Sequence, residues 1–309
     1  MYAAIQLAVR EKITVLAFGD MLRVPVNAPK RAARSLEQAK AAGADIRPIA
    51  SPTEAVRVAE SCPGRPVVFF AAGFETTTAP IAAMLAEGVP DNLFVLLSGR
   101  LTWPAVAMLL GSGDAGFDAL IAPGHVATVM GPEEWEFVPK QHSMPAAIAG
   151  FRPETLLAAL YRVLCQYLGG TAQLDNCYPE VVRPGGNGRA RALLRAVMDV
   201  ADANWRGIGV IPKSGFVLAE AYAAHDARRA LPSYPNEVRK RMGEMPPGCD
   251  CARVVLGKLY PDQCRLYGTA CTPRTPIGPC MVSDEGACRI WWASGKRKNE
   301  RTVPTATTP

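Results

Sequence analysis

The chain has 309 residues, 49% of them hydrophobic and 20% charged, with a formal net charge of +6; this describes a globular protein with enough length for two modest cores. It contains no run of eighteen apolar residues, and MYAAIQLAVREK at its start lacks a charged opening, an apolar stretch and a small-residue cleavage site, so a membrane span and secretion are not expected and the cytoplasm is. Part of the positive charge sits in Lys296, Arg297, Lys298 and Arg301, a short basic tail that reads as solvated rather than as a nucleic-acid contact.

From the start to about residue 150, short apolar runs alternate with Ala-rich amphipathic stretches, the pattern of an α/β layer structure. Strands are expected at 13–18, 45–49, 67–71, 93–97, 118–121 and 146–149, mostly parallel and buried on both faces. Helices are expected at 32–42, 53–60, 79–87 and 102–110. Ser51-Pro52-Thr53-Glu54 predicts a capping box at the start of the second of these. Beyond residue 150 a second α/β unit is expected to run to about 245, with helices at 154–167 and 189–203 and a strand ending in a turn at 205–214. The proline-rich 230–247 reads as a connector into a cysteine-rich module at 246–295, and 296–309 as a disordered tail. The expected architecture is therefore two open, mostly parallel α/β domains, the first incomplete at its N-terminus, followed by the cysteine module.

Six of the nine cysteines lie between Cys249 and Cys288 among prolines and glycines. Thiolates are soft ligands suited to iron-sulfur clusters or zinc, and such a loop-rich stretch can wrap an inorganic group without a large core. Cys251, Cys264, Cys271 and Cys288 are spaced unlike paired zinc knuckles or the ferredoxin run, and no histidine accompanies them. Composition alone leaves iron-sulfur and zinc open. Clustering at one end, with an odd total, argues against a disulfide framework.

Three strand ends carry polar groups. Phe18-Gly19-Asp20-Met21-Leu22-Arg23 presents Asp20 and Arg23, which could pair with each other or face a ligand. Gly73-Phe74-Glu75-Thr76-Thr77 brings a carboxylate and hydroxyls to the start of a helix, either as an anion cradle or as a helix cap. Ala122-Pro123-Gly124-His125-Val126 sets a histidine at a third strand end. In open α/β sheets the carboxyl edge is where ligands bind, so Asp20, Arg23, Glu75, Thr76, Thr77 and His125 are the candidate pocket residues.

Taken in order, FGDMLRVP at 18–25, GFETT at 73–77, APGHV at 122–126, AGF at 149–151, WRGIGVIP at 205–212, the GK-x-x-P-x-x-C-x-L-Y-G-x-x-C-x-P run and MVSDEGAC at 281–288 resemble the HypD family of hydrogenase maturation factors across nearly the whole chain. The resemblance implies a scaffold, an accessory protein with redox chemistry, that works with a HypC-type small chaperone and a HypE-type cyanide donor. Together they would assemble the Fe(CN)2CO centre of [NiFe] hydrogenase, with no nucleic acid and no membrane involved. It also implies a [4Fe-4S] cluster held by Cys251, Cys264, Cys271 and Cys288, with Cys249 and Cys280 as neighbours or substitutes. HypD proteins carry C-G-G-H-T-H and G-C-P-V-C motifs ahead of the region matched here, and neither string occurs in the 309 residues. The iron-binding thiol and thiol relay of the family are thus missing from this sequence. That leaves two expectations: a start placed late, or a fragment that binds partners and a cluster without assembling the iron centre. After the strand near residue 97 the family tends to place a histidine where this chain has Arg100.

Overall fold

A computed structural model describes residues 1–28, 32–113, 115–235, 245 and 247–296. Twelve helices are described: α1 Tyr2–Val9, α2 Leu36–Ala41, α3 Pro52–Glu60, α4 Glu75–Ala86, α5 Thr102–Gly111, α6 Gly124–Met130, α7 Phe137–His142, α8 Pro153–Leu168, α9 Gly188–Val197, α10 Ala227–Ala230, α11 Cys251–Val255 and α12 Ala287–Ala293. The strands are β1 Thr14–Phe18, β2 Ile46–Ile49, β3 Val67–Gly73, β4 Leu93–Gly99, β5 Leu120–Pro123, β6 Ala146–Ala149, β7 Leu174–Asn176, β8 Met198–Trp205 and β9 Gly209–Leu218.

Alternation along the first strands decides where the layers go. In β3, Val67, Phe69 and Ala71 point to one face and pack with Ile81, Ala82 and Leu85 of α4 and Leu194 and Val197 of α9. Val68 and Phe70 point to the other, against Ala4, Ile5 and Leu7 of α1 and Leu36 of α2. A strand buried on both faces reads as an unbroken apolar run, as VVFFAA does. The resulting parallel sheet has the order β2-β1-β3-β4. The strands run parallel, but the order in which they are added to the sheet reverses between β1 and β3, so their carboxyl ends flank the switch point at which α/β sheets open a crevice.

A second parallel sheet, β5-β6-β7, gathers strands from both sides of residue 150. Ala146 and Ile148 face Trp135, Val138 and Val126, while Ala147 and Ala149 face Ala159 and Val163 of α8. The architecture is α/β with mostly parallel sheets, as the alternating pattern predicts.

The region after residue 188 departs from expectation. The helix expected at 189–203 ends at Val197, and Met198–Trp205 is instead a strand paired antiparallel with Gly209–Leu218. The turn falls at 206–208, not after Ser214. Pairing with Gly209–Leu218 explains the switch, since the backbone groups of MDVADANW are taken up by that strand. The hairpin exposes both aspartates and keeps Met198 and Ala203 inside. The capping box expected at Ser51 does not form either: Ser51 Oγ contacts Thr53 Oγ1, and Glu54 accepts from the Ala50 N–H, one residue too early. Much of the expected 230–247 connector and all but Lys296 of the 296–309 tail lie outside the described residues. No helix among the described residues is long and apolar enough to cross a membrane.

Candidate functional site at the carboxyl edge

The GFETT turn leaves β3 and opens α4. Gly73 is required there because a methyl group on it would lie 2.6 Å from Thr77 Oγ1. Glu75 is fully buried, and its carboxylate accepts from the backbone N–H of Thr102 at 2.6 Å and from the Thr102 hydroxyl at 2.7 Å. Glu75 thus caps the neighbouring helix α5 rather than its own. Burial pushes its carboxyl above the usual range, against the lowering effect of the Thr102 donors. Thr76 is exposed and Thr77 half-buried, so the open hydroxyls of the motif are these two.

The other motif loops are drawn to the same edge. Phe74 lies 6.1 Å from Trp205, ring centroid to centroid, which joins GFETT to WRGIGVIP. Trp205 Nε1 donates to the buried Ser214 hydroxyl, and Arg100 donates to the carbonyls of Gly99 and Asn204, pinning the hairpin against β4. Arg206, at the hairpin tip, donates to the Pro25 carbonyl of FGDMLRVP. A cavity of about 550 Å3 lies among Phe70, Phe74, Arg100, Trp205, Arg206 and Arg228. Asp20 and Arg23 are both exposed, and no ion pair joins them among the described residues. Arg23 instead donates to the Pro273 carbonyl at 2.7 Å, tethering the cysteine segment to the first sheet.

His125 stands apart from this group, because β5 belongs to the second sheet. Its ring packs 4.6 Å from Phe151 of AGF and 6.0 Å from Tyr178. A Cβ at Gly124 would press on the Ala149 carbonyl and Tyr178, and one at Gly150 would lie 2.9 Å from the Tyr178 ring. Two motif glycines therefore exist to seat one tyrosine. Nothing in the local sequence around Tyr178 marks it, since its role depends on two loops distant in the chain.

The cysteine segment forms its own small core. Cys251, Cys264, Cys271, Cys280 and Cys288 are all buried together with Val254, Tyr267 and Met281, and Cys249 packs at the margin. Its docking face is the hairpin tip, since a Cβ at Gly207 would meet Met245 and the Ala252 methyl. The thiols form a donation chain. Cys249 and Cys280, as donors to Cys251, are held well above their ordinary range, and Cys251 is lowered by receiving them. Cys288, accepting from Cys251 and Cys280, is held down at about 5, whereas burial pushes Cys271 up. A Cβ at Gly278 would lie 2.5 Å from the Cys249 sulfur and closer still to that of Cys251. Among the described residues no three His, Cys, Asp or Glu side chains are arranged to hold a metal ion. In chemical type the donor set fits a sulfur-ligated cluster: the segment offers six thiols, five of them buried, and no histidine. Cys280, expected as a neighbour or substitute, touches both Cys251 and Cys288.

A further acid, half-buried, adjoins this edge. Glu134 lines a cavity of about 390 Å3 with Leu101, Trp103, Leu194 and Phe216, and its Oε2 is buried without a partner among the described residues. Burial, then the charge of Glu75, raises its carboxyl from 4.5 to about 7. The folded state therefore holds this proton more tightly than the unfolded chain. The contribution to stability is complete below pH 4.5 and is lost as pH rises towards about 7. Urea unfolding across that range should show the decline in the native protein and a flatter profile in Glu134→Gln.

Open α/β layers with polar loops at the carboxyl edge of the first sheet, and a small cysteine-rich core packed against them, define the class of fold. A family model described as HypD, "Hydrogenase formation hypA family", matches residues 1–295, and the chain belongs to this family. It is 38% identical over 312 residues to hydrogenase maturation factor HypD2 of Bradyrhizobium diazoefficiens, covering 96% of this chain and 79% of the relative. It is 37% identical over 304 residues to HypD of Azotobacter vinelandii, covering 96% and 78%. It is also 38% identical over 299 residues to HypD of Rhodobacter capsulatus, covering 94% and 77%.

Proposed function

We propose that this chain acts in [NiFe] hydrogenase maturation as a scaffold for the Fe(CN)2CO centre, received as cargo, and that its C-terminal segment holds a [4Fe-4S] cluster. The observation that carries the reading is the burial of five thiols in one small core docked on the WRGIG and FGDMLRVP loops. Cys251, Cys264, Cys271 and Cys288 would hold the cluster, with Cys249 and Cys280 close enough to Cys251 to exchange with it. When bound, the cluster supplies low-potential electrons.

The remaining residues would act on the cargo or on its surroundings. At the start of α4 the Thr76 and Thr77 hydroxyls are donors suited to anionic cyanide ligands. Glu75 has both oxygens engaged and acts as a positioning residue that joins α4 to α5. His125, with Phe151 and Tyr178, offers an aromatic face from the second sheet. HypC-type and HypE-type proteins are the proposed partners, in the cytoplasm.

Purification without oxygen, followed by iron, acid-labile sulfide and absorbance measurements, tests the cluster. About four irons and four sulfides per chain are expected. Serine at Cys264, Cys271 or Cys288 should remove most of both. Serine at Cys249, Cys251 and Cys280, one at a time, identifies which of the three is the fourth ligand. A colourless protein carrying one zinc and no sulfide would reject the assignment. Expression in a strain lacking its own factor separates scaffold from remnant, since a remnant retains HypC-type and HypE-type partners but restores no hydrogenase activity.

A further inference from the structure

Two acids stand side by side in the turn Pro132–Trp135, and only one has a structural task. Glu133 accepts from the Gly185 N–H at 2.9 Å and so ties this turn to the loop that leads into α9. Glu134 lines the cavity of about 390 Å3, and among the described residues its Oε2 is the only buried carboxylate oxygen that no donor reaches. Such an atom is uncommon in folded proteins, because a dry acceptor without a donor is costly, and here the donor has to come from outside the chain.

The other walls define the molecule that would carry that donor. Leu101 and Trp103 come from the start of α5, Leu194 from α9, and Met198 and Phe216 from the hairpin of β8 and β9. Leu101, Leu194, Met198 and Phe216 are each more than nine-tenths buried, so the body of the ligand is apolar. Trp103 and Phe216 present rings and favour a flat aromatic partner over a flexible chain. Since roughly 150 Å3 accepts a benzene, this space suits about fifteen non-hydrogen atoms, or two fused rings with a short substituent.

Charge completes the description. Arg195 and Lys213 also line the cavity, both are exposed, and neither has an ion-pair partner among the described residues. Asp202 accepts from the backbone N–H of Lys213 and not from its ammonium. Arg191, the third cation of the wall, is already engaged by the Gly185 carbonyl. Two uncommitted cations beside an apolar interior match an anionic group on the ligand.

We propose that this cavity is a binding site for a small aryl carboxylate bearing a ring N–H or O–H. The carboxylate pairs with Arg195 and Lys213, the ring packs on Trp103 and Phe216, and the ring donor is accepted by Glu134 Oε2. Glu134 follows β5 and α6 of the second sheet, whereas Leu101 follows β4 of the first, so the ligand bridges the two layers. No cysteine lines the site, and its occupancy is independent of whether the C-terminal segment carries a cluster.

Isothermal titration calorimetry of the full chain at about pH 6, with indole-3-acetate, naphthalene-1-acetate and tryptamine, is the test. At that pH the Glu134 carboxyl, raised to about 7, holds its proton and does not repel an anion. Indole-3-acetate should bind with a Kd on the order of 100 µM, a modest value for about thirteen non-hydrogen atoms. Naphthalene-1-acetate, similar in shape but without the ring donor, should bind about tenfold more weakly, and tryptamine, which carries a cation instead, should not bind. Glu134→Leu should erase that tenfold preference by weakening only the indole acid, whereas Arg195→Gln/Lys213→Gln should weaken both acids about tenfold. Both cations are exposed, so the double variant should keep the native circular dichroism and thermal midpoint, and it tests the site even if Glu134→Leu fails to fold. The inference is overturned by no binding of indole-3-acetate at about 1 mM, by equal affinities for the two acids, by tryptamine binding as tightly as the indole acid, or by affinities unchanged in the double variant.

Discussion

Glu75→Ala should lower the stability of the protein by about 3 kcal/mol, which in a chain of this size corresponds to roughly 5 °C in the thermal midpoint. The carboxylate is fully buried and accepts two short hydrogen bonds from Thr102, one from the first backbone N–H of α5 and one from the hydroxyl. Alanine leaves both donors in a dry site, removes the cap of a ten-residue helix and opens a cavity, and these losses add in the same direction. Glu75→Gln keeps the volume and one acceptor, and the Thr102 hydroxyl can rotate to accept from the new amide. That variant should lose only about 1 kcal/mol. Equal losses for the two would mean that the paired carboxylate acceptors, and not the volume they share with glutamine, are what Glu75 contributes at this position.

The same residue marks how far the sequence could be read. GFETT stood out because a glycine, an acid and hydroxyls follow an apolar strand, and the turn into a helix is where that spacing predicts it. The choice between a ligand group and a cap for α4 missed the observed arrangement, because the partner is 27 residues away and is brought near only by the pairing of β3 with β4. Parallel strands such as VVFFAA were legible from their unbroken apolar character. The β8 strand was not, since RALLRAV has helical periodicity and nothing local in MDVADANW ends it; its partner Gly209–Leu218 does. His125 was legible as a strand-end side chain, but not its separation from the first sheet, which depends on strand order. The cysteines were legible as a group, while the contacts of Cys280 depend on the turn at Pro279–Met281.

Gly286→Ala should have the second large effect. The backbone at Gly286 has an ordinary φ of −72°, so any L-residue could adopt it, and the constraint is entirely one of space. A Cβ there would overlap the Cys280 carbonyl and lie 3.1 Å from the Cys280 Cα. Backbone cannot swing aside as a side chain can, so the turn carrying Cys280 and the start of α12 carrying Cys288 must separate. A loss of about 3 kcal/mol is expected, in line with overpacked sites. The more specific readout is thiol reactivity: Cys280 and Cys288, buried in the native protein, should react with a water-soluble disulfide reagent at least tenfold faster in the variant. Gly111→Ala is the control, since nothing lies within 4 Å of its Cβ position. Unchanged reactivity in Gly286→Ala would show that the two thiols do not depend on this close approach.

The hairpin tip has a consequence for how the molecule opens. Gly207 at the hairpin tip, Arg23 on the first sheet's edge, and Gly116 and Phe117 against Gly257 are the attachments described between the cysteine segment and the sheets. A unit joined by so few contacts can detach while β1 to β4 stay folded, so its amides should exchange with solvent deuterium at a lower free energy than those of β3. Detachment would leave the parallel core intact while opening the thiols to solvent, so their accessibility is set by a local equilibrium that does not require the chain to melt.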